Sequence, residues 1–105
     1  MKVSESRVNT SFLKDAIRLY KCGNIVQVVY PSDTKESVAK GNLGIVGSVP
    51  EGFKPYERIV LCNLQVGVVK IQIEITSDGN ITAYNYGDAI SKGTTCRYSG
   101  CYIVN

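Results

Sequence analysis

The sequence predicts an all-β fold, an antiparallel β-sandwich or jelly-roll-like single domain, on three observations. Residues 68–76 alternate, with Val69, Ile71, Ile73 and Ile75 on one face and Lys70, Gln72 and Glu74 on the other. Alternation of β-branched residues with period two marks a strand with one buried and one wet face. Strand-like runs then recur at short spacing, separated by Gly, Asn, Asp and Pro, the residues that reverse a chain. No stretch sustains a long helical period. At 105 residues the chain has room for one core, because two would each bury too little surface to hold.

Taken in order, residues 1–15 form a lead-in segment and 16–105 the sandwich domain. Within the lead-in, Val8, Phe12 and Asp15 would share a short helix, or residues 8–12 would add a strand; both remain open. Residues 16–21 and 25–30 read as a hairpin reversed at Cys22-Gly23-Asn24, where Gly and Asn tolerate left-handed backbone. Pro31 ends the second strand, and residues 31–42 are polar, a surface loop rather than a helical turn at 35–39. Residues 43–49 make a short strand weakened by glycine, followed by a turn with proline at both ends. Residues 58–66 form the next strand, with Cys62 as a small buried core residue. Residues 68–76 run into Ser77-Asp78-Gly79-Asn80, where Asp-Gly supplies positive φ for a tight hairpin, and residues 81–86 return. Residues 97–104 close the fold.

The chemistry is notable for what is missing. Net charge is +3, and the twelve Lys and Arg residues are scattered without a basic run, which argues against nucleic acid as a partner. The sequence contains no histidine, so a serine or cysteine nucleophile would lack its usual base. Carboxylates remain, but Asp78 belongs to a turn and Glu74 to a wet strand face, and a domain this small rarely builds a glycosidase cleft. No enzyme activity is expected. Gly41, Gly44 and Gly47 lack the lysine or helix start that would make a phosphate loop.

Cys22, Cys62, Cys96 and Cys101 include no Cys-x-x-Cys pair to seed a zinc site, and all four are read as reduced thiols. Cys96 with Cys101 is the one pair whose proximity in sequence would permit a disulfide. No metal or cofactor is expected. The first residues lack an apolar leader core and no apolar run approaches a membrane span, so synthesis in cytoplasm without membrane insertion is the expectation.

The aromatic residues are the positive signal. Seven tyrosines, two phenylalanines and no tryptophan favour rings that both stack and hydrogen-bond. Tyr84 and Tyr86 lie two apart on one strand, on the face of Thr82 and opposite Ile81 and Ala83. With Ile81 and Ala83 in the core, both tyrosines face outward, a pairing suited to a sugar face, a protein interface or a platform for a nucleic-acid base. Tyr84, Tyr86 and Arg97, together with the 31–42 loop, are the candidate ligand contacts. Arg97 would donate to hydroxyl or phosphate oxygens.

Four short motifs occur in a telling order: Lys21-Cys22-Gly23-Asn24-Ile25-Val26, Val49-Pro50-Glu51-Gly52-Phe53-Lys54-Pro55, Ile73-Glu74-Ile75-Thr76-Ser77-Asp78-Gly79, and Ser99-Gly100-Cys101-Tyr102-Ile103. In that order they resemble the C-terminal head domain of bacteriophage tail-fibre and baseplate receptor-binding proteins, over residues 16–104. The resemblance implies an antiparallel sandwich or jelly-roll head, a homotrimer in the virion tail, contacts with other tail proteins, and binding of host cell-surface saccharide. The alternative it leaves is a structural head that caps or trimerises a fibre without a ligand. The proline-flanked turn itself reads as architecture, because Pro50 and Pro55 fix backbone angles and Gly52 permits the reversal.

Overall fold

A computed structural model describes residues 2–63 and 69–104. Among the described residues nine strands form two antiparallel sheets: β1 (Val3–Val8), β2 (Ile17–Cys22), β3 (Ile25–Tyr30), β4 (Gly41–Ser48), β5 (Ile59–Val60), β6 (Cys62–Asn63), β7 (Ile71–Ile75), β8 (Asn80–Asn85) and β9 (Tyr98–Ile103). The first sheet has the order β1-β2-β3-β9-β6 and the second β4-β8-β7-β5. The all-β sandwich is as expected.

The two hairpins form where turn chemistry places them. At Cys22↔Ile25 the loop is the two residues Gly23 and Asn24, with Gly23 at φ 62°, the first central position where a type II′ turn wants glycine. The second reversal differs from the Asp-Gly expectation. Gly79 N–H donates to Thr76 O and Thr76 N–H to Asn80 O, both at 2.9 Å, and only Gly79 has positive φ, at 92°. Ser77 and Asp78 therefore make an ordinary turn, and Gly79 alone supplies the left-handed residue that follows it.

Between the sheets, Ile17, Leu19, Val26, Val28 and Tyr98 of the first meet Ile71, Ile73, Ile75, Ile81 and Ala83 of the second. Each fully buried Ile or Leu contributes about 1.5–3 kcal/mol relative to exposure. The alternation read at residues 69–75 is observed as buried Val69, Ile71, Ile73 and Ile75. Asn85 is also fully buried, and it is satisfied: its amide donates to Ala39 O and Asp88 O and its oxygen accepts from Gly87 N–H.

Several expectations are corrected. The lead-in is part of the sandwich: β1 pairs along its whole length with β2, and Phe12 and Leu13 are in the core. Neither the helix nor a strand at 8–12 forms there, because the chain turns after Val8 to bury those two side chains. The 31–42 segment is only partly a surface loop, since Thr34 and Val38 are buried and Val38 exchanges both backbone hydrogen bonds with Ile90.

The single strand expected at 58–66 is two. β5 pairs with β7 in one sheet and β6 with β9 in the other, so the chain changes sheets at Leu61. Leu61 is buried at that crossing and donates its N–H to Ile73 O at 2.8 Å. The inward and outward alternation continues through the crossing, so buried Leu61 is followed by an exposed Cys62 instead of a core residue. Residues 64–66 of the expected strand lie outside the described residues. Cys96 and Cys101 are not joined in a disulfide: Cys96 is buried, while Cys101 is exposed on β9.

The four motifs meet at one end of the sandwich. Lys21 Nζ donates to Gly52 O at 2.7 Å and lies 5.6 Å from the centre of the Phe53 ring. The Tyr102 hydroxyl donates to Phe53 O, and Val49 N–H to Gly79 O. The proline-flanked turn is thus the clasp that joins both hairpins to the closing strand, in keeping with its reading as architecture.

Candidate functional site

β8 lies between β4 and β7, so its outward side chains sit at the middle of a sheet face. Ile81, Ala83 and Asn85 point inward, which turns Thr82 and Tyr84 to solvent. The register places Asn42 and Gln72 on either side of Tyr84, and Ile45 and Glu74 on either side of Thr82. Tyr86 follows just beyond the strand, held by its N–H donating to Lys70 O at 3.0 Å.

Tyr84 and Tyr86 are both exposed, at 39% and 58%, and their ring centroids are 4.4 Å apart with 34° between the planes. The two rings contact each other in a tilted arrangement while both residues remain exposed. No hydrogen bond among the described residues engages either phenol or the Thr82 hydroxyl. Beside them is a shallow groove of about 180 Å³ lined by Asn42, Gln72, Glu74, Thr82, Ala83 and the two tyrosines. Pockets that enclose a drug-sized ligand run from roughly 300 to 1,000 Å³. This groove can seat one face of a small polar ring.

The rim of the groove is shaped by β4. Its register shifts twice, between Asn42 and Gly44 and between Ile45 and Gly47, and such bulges re-aim side chains. Asn42 Oδ1 accepts from Gly44 N–H at 2.9 Å, which fixes the amide with its NH₂ free of that bond. At the second shift β4 runs so close to the lead-in that a Cβ on Gly47 would lie 2.9 Å from Asn9 O. Glu74 is the one charged residue of the lining, and both of its oxygens are engaged. Gln72 Nε2 donates to Oε1 at 3.0 Å, and Arg58 Nη1 lies 3.7 Å from Oε2.

Of the residues expected at a site, Tyr84 and Tyr86 are brought together and Arg97 is not. Arg97 is exposed between buried Cys96 and Tyr98, so it leaves the first sheet on the opposite side of the sandwich. From the 31–42 loop only Asn42 reaches the groove. Gln72, Glu74 and Thr82 were not anticipated as site residues. Alternation had already put Gln72 and Glu74 on a wet face and Thr82 beside the tyrosines. The missing information was the strand order that makes these faces neighbours.

The outer face of the first sheet is different in character. One cross-strand rung joins Val3, Cys22, Ile25 and Ile103, and Tyr56 is tied to it through its N–H to Ile103 O at 2.8 Å. Val3, Ile25, Ile103 and Tyr56 are all exposed. Among the described residues no cluster of three or more Cys, Asp or Glu could hold a metal ion, and no helix is long and apolar enough to cross a membrane. No family model and no curated protein matches the chain.

Proposed function

We propose that this chain is a head module of a bacteriophage tail fibre or baseplate, acting as a homotrimer in the virion tail and binding host cell-surface saccharide. The observation that carries the saccharide reading is the exposed, mutually contacting Tyr84–Tyr86 pair standing in a face of amides, hydroxyls and the Glu74 carboxylate. A sugar has an apolar C–H face and a rim of hydroxyls, so it is matched by an aromatic ring bordered by neutral hydrogen-bonding groups. The ordered four-motif resemblance supplies the phage context.

The apolar rung of the first sheet favours self-association, since exposed apolar residues gathered on one face can mark a protein–protein contact. It lies on the face away from the groove, so assembly through it would leave the tyrosines open. The same rung also favours a second reading, a structural module that trimerises or caps a fibre and docks other tail proteins without a ligand.

Light scattering on the purified chain together with binding to a glycan panel separates the two. The first reading expects a trimer that binds glycan and loses binding in Tyr84→Ala/Tyr86→Ala with mass unchanged. A trimer that binds no glycan supports the structural module. A monomer that binds no glycan overturns both.

A further inference from the structure

We infer that the saccharide accepted by the Tyr84–Tyr86 face is an uncharged one, and that uronate-, sulfate- or phosphate-bearing glycans are rejected. This rests on the saccharide reading above and narrows its ligand class. The groove lining holds one charged side chain, Glu74, and no Lys or Arg. An anionic ligand would therefore meet a carboxylate and find no cation in the lining to replace its water.

The nearby cations do not alter this. Arg58 is already set against Glu74 Oε2 and lies mostly in solvent beyond it. Lys70 does not line the groove but the neighbouring depression, which shares Gln72 and Tyr86 with it, and its aliphatic stem lies along Gly87. Arg97 is on the far face of the sandwich.

What the groove does offer is balanced. The Asn42 NH₂ remains as a donor, since its oxygen is held by Gly44. Gln72 uses one N–H of its amide on Glu74 and keeps the other N–H and its carbonyl oxygen. Thr82, Tyr84 and Tyr86 present hydroxyls that both donate and accept. Sugar hydroxyls also do both, so this set can be satisfied pairwise by a neutral sugar. Carboxylate, sulfate and phosphate groups only accept, and would leave the Gln72 oxygen and Glu74 facing further oxygens.

The test uses the wild-type chain at low ionic strength, against neutral oligosaccharides and their uronate, sulfated and phosphorylated counterparts on the same backbones. The expected result is binding to neutral members with counterparts at least about tenfold weaker, a gap that added salt narrows by screening. Glu74→Gln should reduce the ratio between neutral and charged counterparts to within about threefold, whatever it does to binding of the neutral ligand itself. Equal or tighter binding of the charged counterparts overturns the inference and leaves the saccharide reading standing. Failure of every glycan to bind overturns the saccharide reading and the inference together.

Discussion

The Tyr102 hydroxyl donates a 2.6 Å hydrogen bond to the carbonyl oxygen of Phe53, joining the closing strand to the proline-flanked turn across 49 residues. Lys21 grips the same turn from the first hairpin through Gly52 O. Tyr102→Phe keeps the ring and removes only the donor, so it should lower stability by about 0.5–1.5 kcal/mol. Urea unfolding should show a lower midpoint with an unchanged slope, because the surface exposed on unfolding is the same. An unchanged midpoint would show that the clasp does not depend on this bond.

Alkaline pH should unfold the protein through the same group of side chains. Burial pushes the Tyr102 phenol up to about 12 and the Cys96 thiol from 9.0 to about 11, and raises Tyr30 and Tyr98 as well. Tyr98 and Tyr102 also act as donors, to Ile71 O and Phe53 O, which a phenolate cannot do. The folded state therefore holds these protons more tightly than the unfolded chain. Their contribution is complete below about pH 9 and is lost as pH rises towards 12. Urea midpoints measured from pH 8 to 11.5 should fall through that window, and Tyr102→Phe should flatten the fall.

Thiol reactivity should follow burial. Cys62 and Cys101 are exposed, while Cys96 is buried and its thiol is held protonated by desolvation. In the native protein at pH 8 a disulfide-exchange reagent should modify Cys62 and Cys101 within minutes and Cys96 only on unfolding, with mass spectrometry assigning the sites. Early modification of Cys96 would contradict the packing described for the region next to β9.

The two faces of the second sheet should differ in their tolerance to truncation. Ile73 is fully buried in the centre of β7, and Ile73→Ala should cost about 2–5 kcal/mol. Ile45 is 66% exposed on the outer face of β4, and Ile45→Ala should fall within about 0.5 kcal/mol of wild type. Comparable losses at both positions would mean that the outer face is covered in solution.

Close approach makes a sharper test at Gly47, where an added methyl would press on the backbone oxygen of Asn9 at 2.9 Å. Gly47→Ala should destabilise by about 1–3 kcal/mol, the range for overpacking against atoms that cannot rotate away. Its thermal midpoint is the measurement, and a midpoint equal to wild type would show that the lead-in yields.

The sequence by itself determined what depends on neighbours along the chain. Alternation at residues 69–75 and 81–86 decided which side chains enter the core, and so that Tyr84 and Tyr86 face outward together. Glycine and asparagine marked both hairpins. What only the tertiary structure decided was which strands lie side by side. Alternation is defined relative to a strand's own backbone and carries no information about its partner. Asn42 and Gln72 therefore became neighbours of Tyr84 only through the β4-β8-β7 order, and Arg97, polar and near the end of the chain, was placed on the opposite face. At Leu61 the chain passes from one sheet to the other inside what reads as a single apolar run, and which residues of that run face inward was settled only by the burial of Leu61, which turns Cys62 to the surface. The lead-in gave no clear period because its burial comes from packing Phe12 and Leu13 into a core built by residues far along the chain.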